Sequence, residues 1–94
     1  MKPSLLTQNA LQQALTTLPG WQVEGKELVR TFEFKSYLDG IEFVKALGTA
    51  AEAMNHHPDM LVGWRKVTVR LSTHSAGGLT ALDVELAQKA AALA

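Results

Sequence analysis

The sequence predicts an α+β fold in which a four-stranded antiparallel sheet carries three helices packed on one face, in the order α-β-β-α-β-β-α. Two observations predict it. Apolar residues recur at helical spacing in three segments, and they alternate with polar residues in two pairs of short segments joined by turns. Consecutive hairpins favour an antiparallel sheet with its helices on one side. The 94 residues are expected to form a single domain over 1–94.

The first part of the chain is expected to hold a loose N-terminal end before Leu5, then one helix and one hairpin. In TQNALQQALTTLPG, Thr7 is a candidate N-cap, and Pro19 with Gly20 is expected to end the helix. In WQVEGKELVRTFEF, apolar residues alternate on both sides of a turn at EGK. These two patterns supply the first helix and the first two strands.

A long central helix is predicted for SYLDGIEFVKALGTAAEAMN, where Ser36 and Asp39 have the spacing of a capping box. Its apolar face is wider than one small sheet can cover, so we expect a core stripe and a second edge that meets another copy of the chain. The expected core stripe is Leu38, Ile41, Val44, Leu47, Ala51 and Met54, and the second edge is Phe43, Ala46, Ala50 and Ala53. A homodimer or homotetramer is therefore expected.

The remaining segments predict a second hairpin, DMLVGWRKVTVRLST, and a last helix with Thr80 as its N-cap. If this hairpin turns on two residues, His57 lies opposite His74, and cross-strand neighbours are about 5 Å apart at Cβ. A longer turn shifts the pairing by one or two positions. All three histidines of the chain are therefore expected to converge at one end of the sheet.

Composition excludes several classes of function. Nine basic and nine acidic residues leave no basic surplus for a phosphate backbone, so direct nucleic-acid binding is not expected. The chain has no cysteine, which removes disulfide and thiolate chemistry. No apolar run approaches a membrane span, and the N-terminal segment lacks the apolar core of a signal peptide. We therefore expect a cytoplasmic protein that does not bind a membrane.

The candidate chemistry lies at the end of the central helix, where His56 and His57 precede Pro58. Proline cannot continue a helix, so the helix is expected to end before Pro58. Imidazole titrates near neutral pH, so a histidine can serve as acid or base. Glu52 lies four residues before His56 and is expected on the same helix face. His74 would join these residues from across the second hairpin.

Other interpretations of these residues remain open. A histidine at a helix end is often only a cap or a solvated side chain, and Trp64 could simply cover the sheet. Asp83 has capping-box spacing from Thr80. Three histidines and a carboxylate could bind zinc, but adjacent histidines seldom present both rings to one ion, and no HExxH pair is present. No G-x-S-x-G turn supports a serine nucleophile.

The spacing of Glu52, His56-His57-Pro58, Trp64, His74 and Asp83 resembles the signature of the pterin-4a-carbinolamine dehydratases, also called 4a-hydroxytetrahydropterin dehydratases. The segments LPGW, FEF and LSTH are also similar to that family, and the resemblance covers nearly the whole chain. It implies the same α+β fold. It implies a lyase that removes water from 4a-hydroxytetrahydropterin to give the quinonoid dihydropterin, in the recycling of the tetrahydrobiopterin that aromatic amino acid hydroxylases use. It implies no metal and no organic cofactor.

The resemblance also assigns expected roles to individual residues. His56 and His74 are expected to transfer protons, and His57 is expected mainly to hold the pterin. Glu52 is expected to orient His56 or to bond a pterin nitrogen. The expected substrate-binding residues are Glu52, Trp64 and Asp83.

Animal members of the same family also act as dimerisation cofactors of a homeodomain transcription factor. The alternative function is therefore a non-enzymatic dimerisation or transcriptional-cofactor module of the same fold. Three converging imidazoles favour the enzyme, because a pure interaction module has no need of them.

Overall fold

The protein is represented by a computed structural model that describes residues 4–94, so most of the expected loose N-terminal end lies outside the described residues. No helix within that range is long and apolar enough to cross a membrane. The helices are α1 (Gln8–Leu15), α2 (Tyr37–Met54) and α3 (Ala81–Leu93). The strands are β1 (Gln22–Glu24), β2 (Glu27–Glu33), β3 (Asp59–Val62) and β4 (Lys66–Leu71), and a short 3-10 turn spans His74–Ala76. The predicted order of elements is confirmed.

The four strands form one antiparallel sheet in the order β1-β2-β4-β3. One face of the sheet is apolar: Val67, Val69 and Leu71 of β4 are buried, whereas Thr68 and Arg70 between them are partly exposed. Helices α2 and α3 contact each other and the buried face of the sheet. Strand β3 is an edge strand, and Pro58 alone separates it from the two adjacent histidines.

The helix starts follow the predicted caps. The Thr7 hydroxyl accepts from the backbone N–H of Ala10, and the Ser36 hydroxyl accepts from that of Asp39. The end of α1 was predicted at Pro19-Gly20, but the helix ends earlier, at Leu15. The hydroxyls of Thr16 and Thr17 donate to carbonyls of the last helical turn, which satisfies these acceptors without another turn of helix.

The expected division of the α2 surface into a core stripe and an outer edge is wrong at two positions. Phe43 was expected on the outer edge, but it is 3% exposed and packs against the rings of Phe32 and Phe34. Leu38 was expected in the core, but it is 69% exposed. The buried line along α2 runs through Gly40, Phe43, Leu47 and Ala51. Phe43 packs against Phe32 of β2 and Phe34 just after it, whereas Leu38 in the first turn of α2 is exposed.

The turn of the second hairpin is longer than the two residues considered in the sequence analysis. Val62 pairs with Val67, so four residues separate the last paired positions, and Gly63 N–H donates to the Lys66 carbonyl across them. Asp59 consequently pairs with Arg70. The register is shifted by two residues, which places His57 level with Ser72 instead of His74.

Candidate active site

The end of α2 is set by a single left-handed residue. Asn55 has φ 51° and ψ 41°, and the N–H of His56 reaches back to the Ala51 carbonyl at 3.0 Å. Asparagine is among the few non-glycine residues that adopt this conformation routinely. The chain therefore leaves the helical path before His56, and the two histidines separate, with His56 buried and His57 exposed.

His56 is held by a buried carboxylate from the start of α3. Its Nε2 lies 2.7 Å from Oδ1 of Asp83, and the two residues are 8% and 0% exposed. An ionised carboxylate only accepts hydrogen bonds. Nε2 of His56 therefore carries the hydrogen of this bond, and Nδ1 is the ring nitrogen left for a ligand.

The second oxygen of Asp83 is held by two threonines. Oδ2 accepts from the Thr80 backbone N–H at 2.9 Å and from the Thr73 hydroxyl at 2.7 Å. Because Thr73 gives its hydroxyl hydrogen to the carboxylate, the 2.8 Å contact between the two threonine hydroxyls runs from Thr80 to Thr73. The Thr80 hydroxyl in turn accepts from the Leu82 N–H. Asp83 is both a capping-box residue and the partner of His56.

Glu52 does not orient His56, contrary to one of its expected roles. Its Oε1 lies 2.6 Å from Nε2 of His57, and both side chains are mostly exposed. The shared helix face that was expected for Glu52 and His56 is lost because Asn55 ends the helix. The two histidines thus have separate carboxylate partners, one buried and one at the surface.

His74 lies in a closed turn between β4 and α3. Thr73 N–H donates to the Gly78 carbonyl at 2.9 Å, and Gly77 adopts φ 77°, so the chain reverses within four residues. Glycine adopts this conformation without steric cost. His74 is exposed at the start of this turn.

The three histidines line one cavity of about 370 Å³. The predicted convergence at the end of the sheet is therefore present in spite of the shifted register. Polar residues of the two connecting segments complete the wall: Asn55, Asp59, Ser72, Thr73 and Ser75. The cavity presents imidazole, hydroxyl, amide and carboxylate groups to a ligand of moderate size.

Trp64 and Asp83 lie elsewhere. Trp64 is 74% exposed in the loop between β3 and β4, at the opposite end of that hairpin from the histidines, where its ring contacts the Arg65 guanidinium. Within one chain it does not reach the cavity. Asp83 lies behind His56, without exposed surface. Among residues 4–94, no three His, Cys, Asp or Glu side chains are arranged to hold a metal ion.

Thr73 and Asn55, which fix the positions of the site's histidines, were not identified from the sequence. Thr73 follows Val67, Val69 and Leu71 at every second position, so it is a polar residue at a position facing the core. That break in the alternation is the signal that could have identified it. Asn55 carries the signal of an asparagine directly after a helical pattern.

The chain is similar to proteins of one family along nearly its whole length. The family model for pterin 4 alpha carbinolamine dehydratase matches residues 4–93. A protein of Natronomonas pharaonis is 50% identical over 89% of each chain, and one of Mycobacteroides abscessus is 47% identical over 90% of each. Their names assign both provisionally to pterin-4-alpha-carbinolamine dehydratase.

Two solved structures are also similar. The crystal structure of a Brucella melitensis protein described as a transcriptional coactivator/pterin dehydratase has a TM-score of 0.93 at 36% identity, with 97% of this chain and 99% of that chain covered. A pterin dehydratase-like protein, described as a RuBisCO assembly factor in the alpha-carboxysome, has a TM-score of 0.64 at 26% identity. This match covers 78% of this chain and 84% of that chain.

Proposed function

The chain belongs to the pterin-4a-carbinolamine dehydratase family, and on that premise we propose that it removes water from a 4a-hydroxytetrahydropterin to give the quinonoid dihydropterin. The observation that carries the proposal is the cavity lined by His56, His57 and His74, in which one imidazole is fixed by a buried carboxylate. The location of this activity in the recycling of tetrahydrobiopterin, beside an aromatic amino acid hydroxylase, is part of the same proposal.

The reaction requires two proton transfers and no nucleophile. The C4a–O bond breaks, the departing hydroxyl takes a proton and leaves as water, and N5 loses its proton as the C4a=N5 double bond forms. One protonated imidazole supplies the first proton and one neutral imidazole accepts the second. Each positioned transfer contributes about a hundredfold to ten-thousandfold in rate.

His56 and His74 form the proposed proton-transfer pair. They reach the cavity from two different segments, one at the end of α2 and the other in the turn before α3. The substrate can therefore lie between two imidazoles. The hydrogen bond from Nε2 of His56 to Asp83 presents Nδ1 as its reacting atom. His57, paired with Glu52 at the rim, is proposed to hold the pterin.

The three residues expected to bind substrate take different parts in this proposal. Glu52 acts at the rim through His57, or directly on a pterin nitrogen, since it is exposed beside the cavity. Asp83 acts through His56, because it is fully buried behind that ring. For Trp64 we propose no contact with the cavity of its own chain.

A second candidate function is a non-enzymatic interaction module. The descriptions of the two similar structures support this second candidate. One protein is described as a transcriptional coactivator/pterin dehydratase, and the other as a RuBisCO assembly factor. The two functions differ in what the cavity must do. An interaction module needs the fold and its surface, whereas the dehydratase needs the histidines.

A dehydration assay on the purified protein separates these functions. The substrate is generated in place by a hydroxylase, and the decay of its absorbance is followed by stopped-flow spectroscopy. The dehydratase predicts decay that accelerates in proportion to the concentration of this protein. Decay at the uncatalysed rate would instead favour the interaction module.

A further inference from the structure

We infer that Thr73 is a positioning residue, which holds Asp83 so that His56 keeps its hydrogen on Nε2 and presents Nδ1 to the cavity. The inference deepens the proposed function and rests on it for the part that His56 takes in catalysis. The state of the His56 ring can nevertheless be measured without any substrate.

The Thr73 hydroxyl lies at the centre of a directed chain of hydrogen bonds. It accepts from Thr80 at 2.8 Å and donates to Oδ2 of Asp83 at 2.7 Å, and Thr73 is 4% exposed. The chain runs from the Leu82 N–H through the Thr80 and Thr73 hydroxyls to Asp83, where it meets the hydrogen donated by His56. Every hydroxyl in it has one available orientation, because the N–H at one end can only donate and the carboxylate can only accept.

Removal of the Thr73 hydroxyl would free both of its neighbours. Oδ2 of Asp83 would keep only the Thr80 N–H as a donor, and the Thr80 hydroxyl would lose its acceptor. A carboxylate with fewer fixed donors can rotate away from the plane of the His56 ring. The tautomer of a histidine is set by the bond that its other nitrogen makes, so the preference for Nε2–H would weaken.

Thr73 also controls the neighbouring histidine through its backbone. Its carbonyl accepts from the N–H groups of Ala76 and Gly77, each at 3.0 Å, and its N–H closes the turn onto Gly78. The same residue thus fixes the turn that carries His74 and the carboxylate that holds His56. This places the two proposed proton-transfer residues in a defined geometry relative to each other.

The test compares Thr73→Val, which removes only the hydroxyl from a side chain of the same shape, with Thr73→Ser, which retains it. The matched control is Thr31→Val. Thr31 makes a threonine–threonine bond of the same 2.8 Å with Thr68, but at an exposed position away from the cavity. The His56 ring nitrogens are observed by nitrogen-15 NMR without substrate, at a pH above the titration midpoint of the same signals. Dehydration kinetics are measured on the same samples.

We expect wild type, Thr73→Ser and Thr31→Val to show His56 with hydrogen on Nε2. Thr73→Val should show a mixture of tautomers, and its kcat should fall by about tenfold to a hundredfold, as for other small losses of positioning. Its KM should stay within about twofold, because the Thr73 hydroxyl is already engaged with Asp83 and Thr80 and is not free to bond the substrate. An unchanged His56 tautomer in Thr73→Val, or an equal change in Thr31→Val, would overturn the inference.

Two further outcomes are distinguishable. If wild type does not dehydrate the pterin, the proposed function fails, while the NMR comparison still decides the part of Thr73. If Thr73→Val does not fold, the inference is tested on the wild-type protein by the exchange of its Thr73 hydroxyl proton. Its Thr73 hydroxyl proton must then be slow to exchange with water and lie close to Asp83, and a rapidly exchanging hydroxyl would overturn the inference.

Discussion

Nε2 of His56 lies 2.7 Å from Oδ1 of Asp83, and this bond joins the end of α2 to the start of α3 across 27 positions of sequence. Both residues are buried. The bond makes one carboxylate serve both the cap of a helix and the orientation of a cavity side chain. Changes at Asp83 should therefore alter the site without any contact between Asp83 and the substrate.

Asp83→Asn should lower kcat by about a hundredfold or more, because loss of the orienting group removes a correctly held acid or base. The amide would turn an N–H toward Nε2 of His56 and so favour hydrogen on Nδ1, the nitrogen that faces the ligand. Stopped-flow kinetics measure the effect, and circular dichroism reports whether the fold is kept. Asp39→Asn is the matched control, since Asp39 has the same position in the first turn of α2 but is exposed. Equal kinetics of both variants would count against the role of Asp83.

Asn55→Gly should keep the stability of the protein, whereas Asn55→Ala should lose about 1–2 kcal/mol of unfolding free energy. The left-handed conformation at φ 51° has no steric cost for glycine but a clear one for alanine. Urea unfolding of both variants measures the difference. An alanine variant as stable as the glycine variant would show that the left-handed turn is not required to bring His56 inside.

Phe43→Ala should lower the unfolding free energy by about 3–5 kcal/mol, as expected for a large aromatic residue removed from a core. Leu38→Ala is the control on the same helix and should change it little, since Leu38 is mostly exposed. Because Leu38, and not Phe43, is exposed, Leu38 is also the position at which to test the homo-oligomer expected from the sequence. Leu38→Glu should reduce the mass measured by light scattering while the fold is kept. A wild type that is monomeric at micromolar concentration would contradict that oligomer.

Purified active protein should contain no stoichiometric metal. Each of the adjacent histidines is already bonded to a carboxylate of its own, His56 to Asp83 and His57 to Glu52. Elemental analysis of protein prepared without added metal, with activity measured before and after a chelator, tests this. One zinc per chain, with activity that a chelator removes and zinc restores, would contradict the prediction.

The fold could be predicted from the sequence largely because periodicity and caps agree. Thr7, Ser36 and Thr80 each begin the helix that the pattern predicts, and alternation identifies β4. The burial of Phe43 could not be predicted, because two edges of the helix were both apolar and the contacts of Phe43 with the Phe32 and Phe34 rings are not contained in the helical pattern. The apolar pattern alone is therefore ambiguous in a helix as apolar as α2.

The sequence predicted which histidines form the candidate site better than it predicted their hydrogen-bond partners. The histidines converge as expected, since the hairpin brings His74 back toward the end of α2 whatever the exact turn length. The carboxylate partners were not predictable from spacing, because one left-handed residue, Asn55, takes His56 away from Glu52. The link from His56 to Asp83 depends on how α2 and α3 pack, which no local pattern contains.

The most direct measurement of the central claim is stopped-flow decay of a 4a-hydroxytetrahydropterin in the presence of wild type, His56→Ala, His74→Ala and the double variant. We predict strong acceleration by wild type and a loss of at least about a hundredfold in kcat for each single variant. His74→Ala should fold normally because His74 is exposed, whereas His56→Ala should lose about 1–3 kcal/mol of unfolding free energy because Oδ1 of the buried Asp83 loses its hydrogen-bond donor. Wild-type activity in the folded double variant, or no acceleration by wild type, would contradict the claim that this cavity is a histidine-dependent dehydratase site.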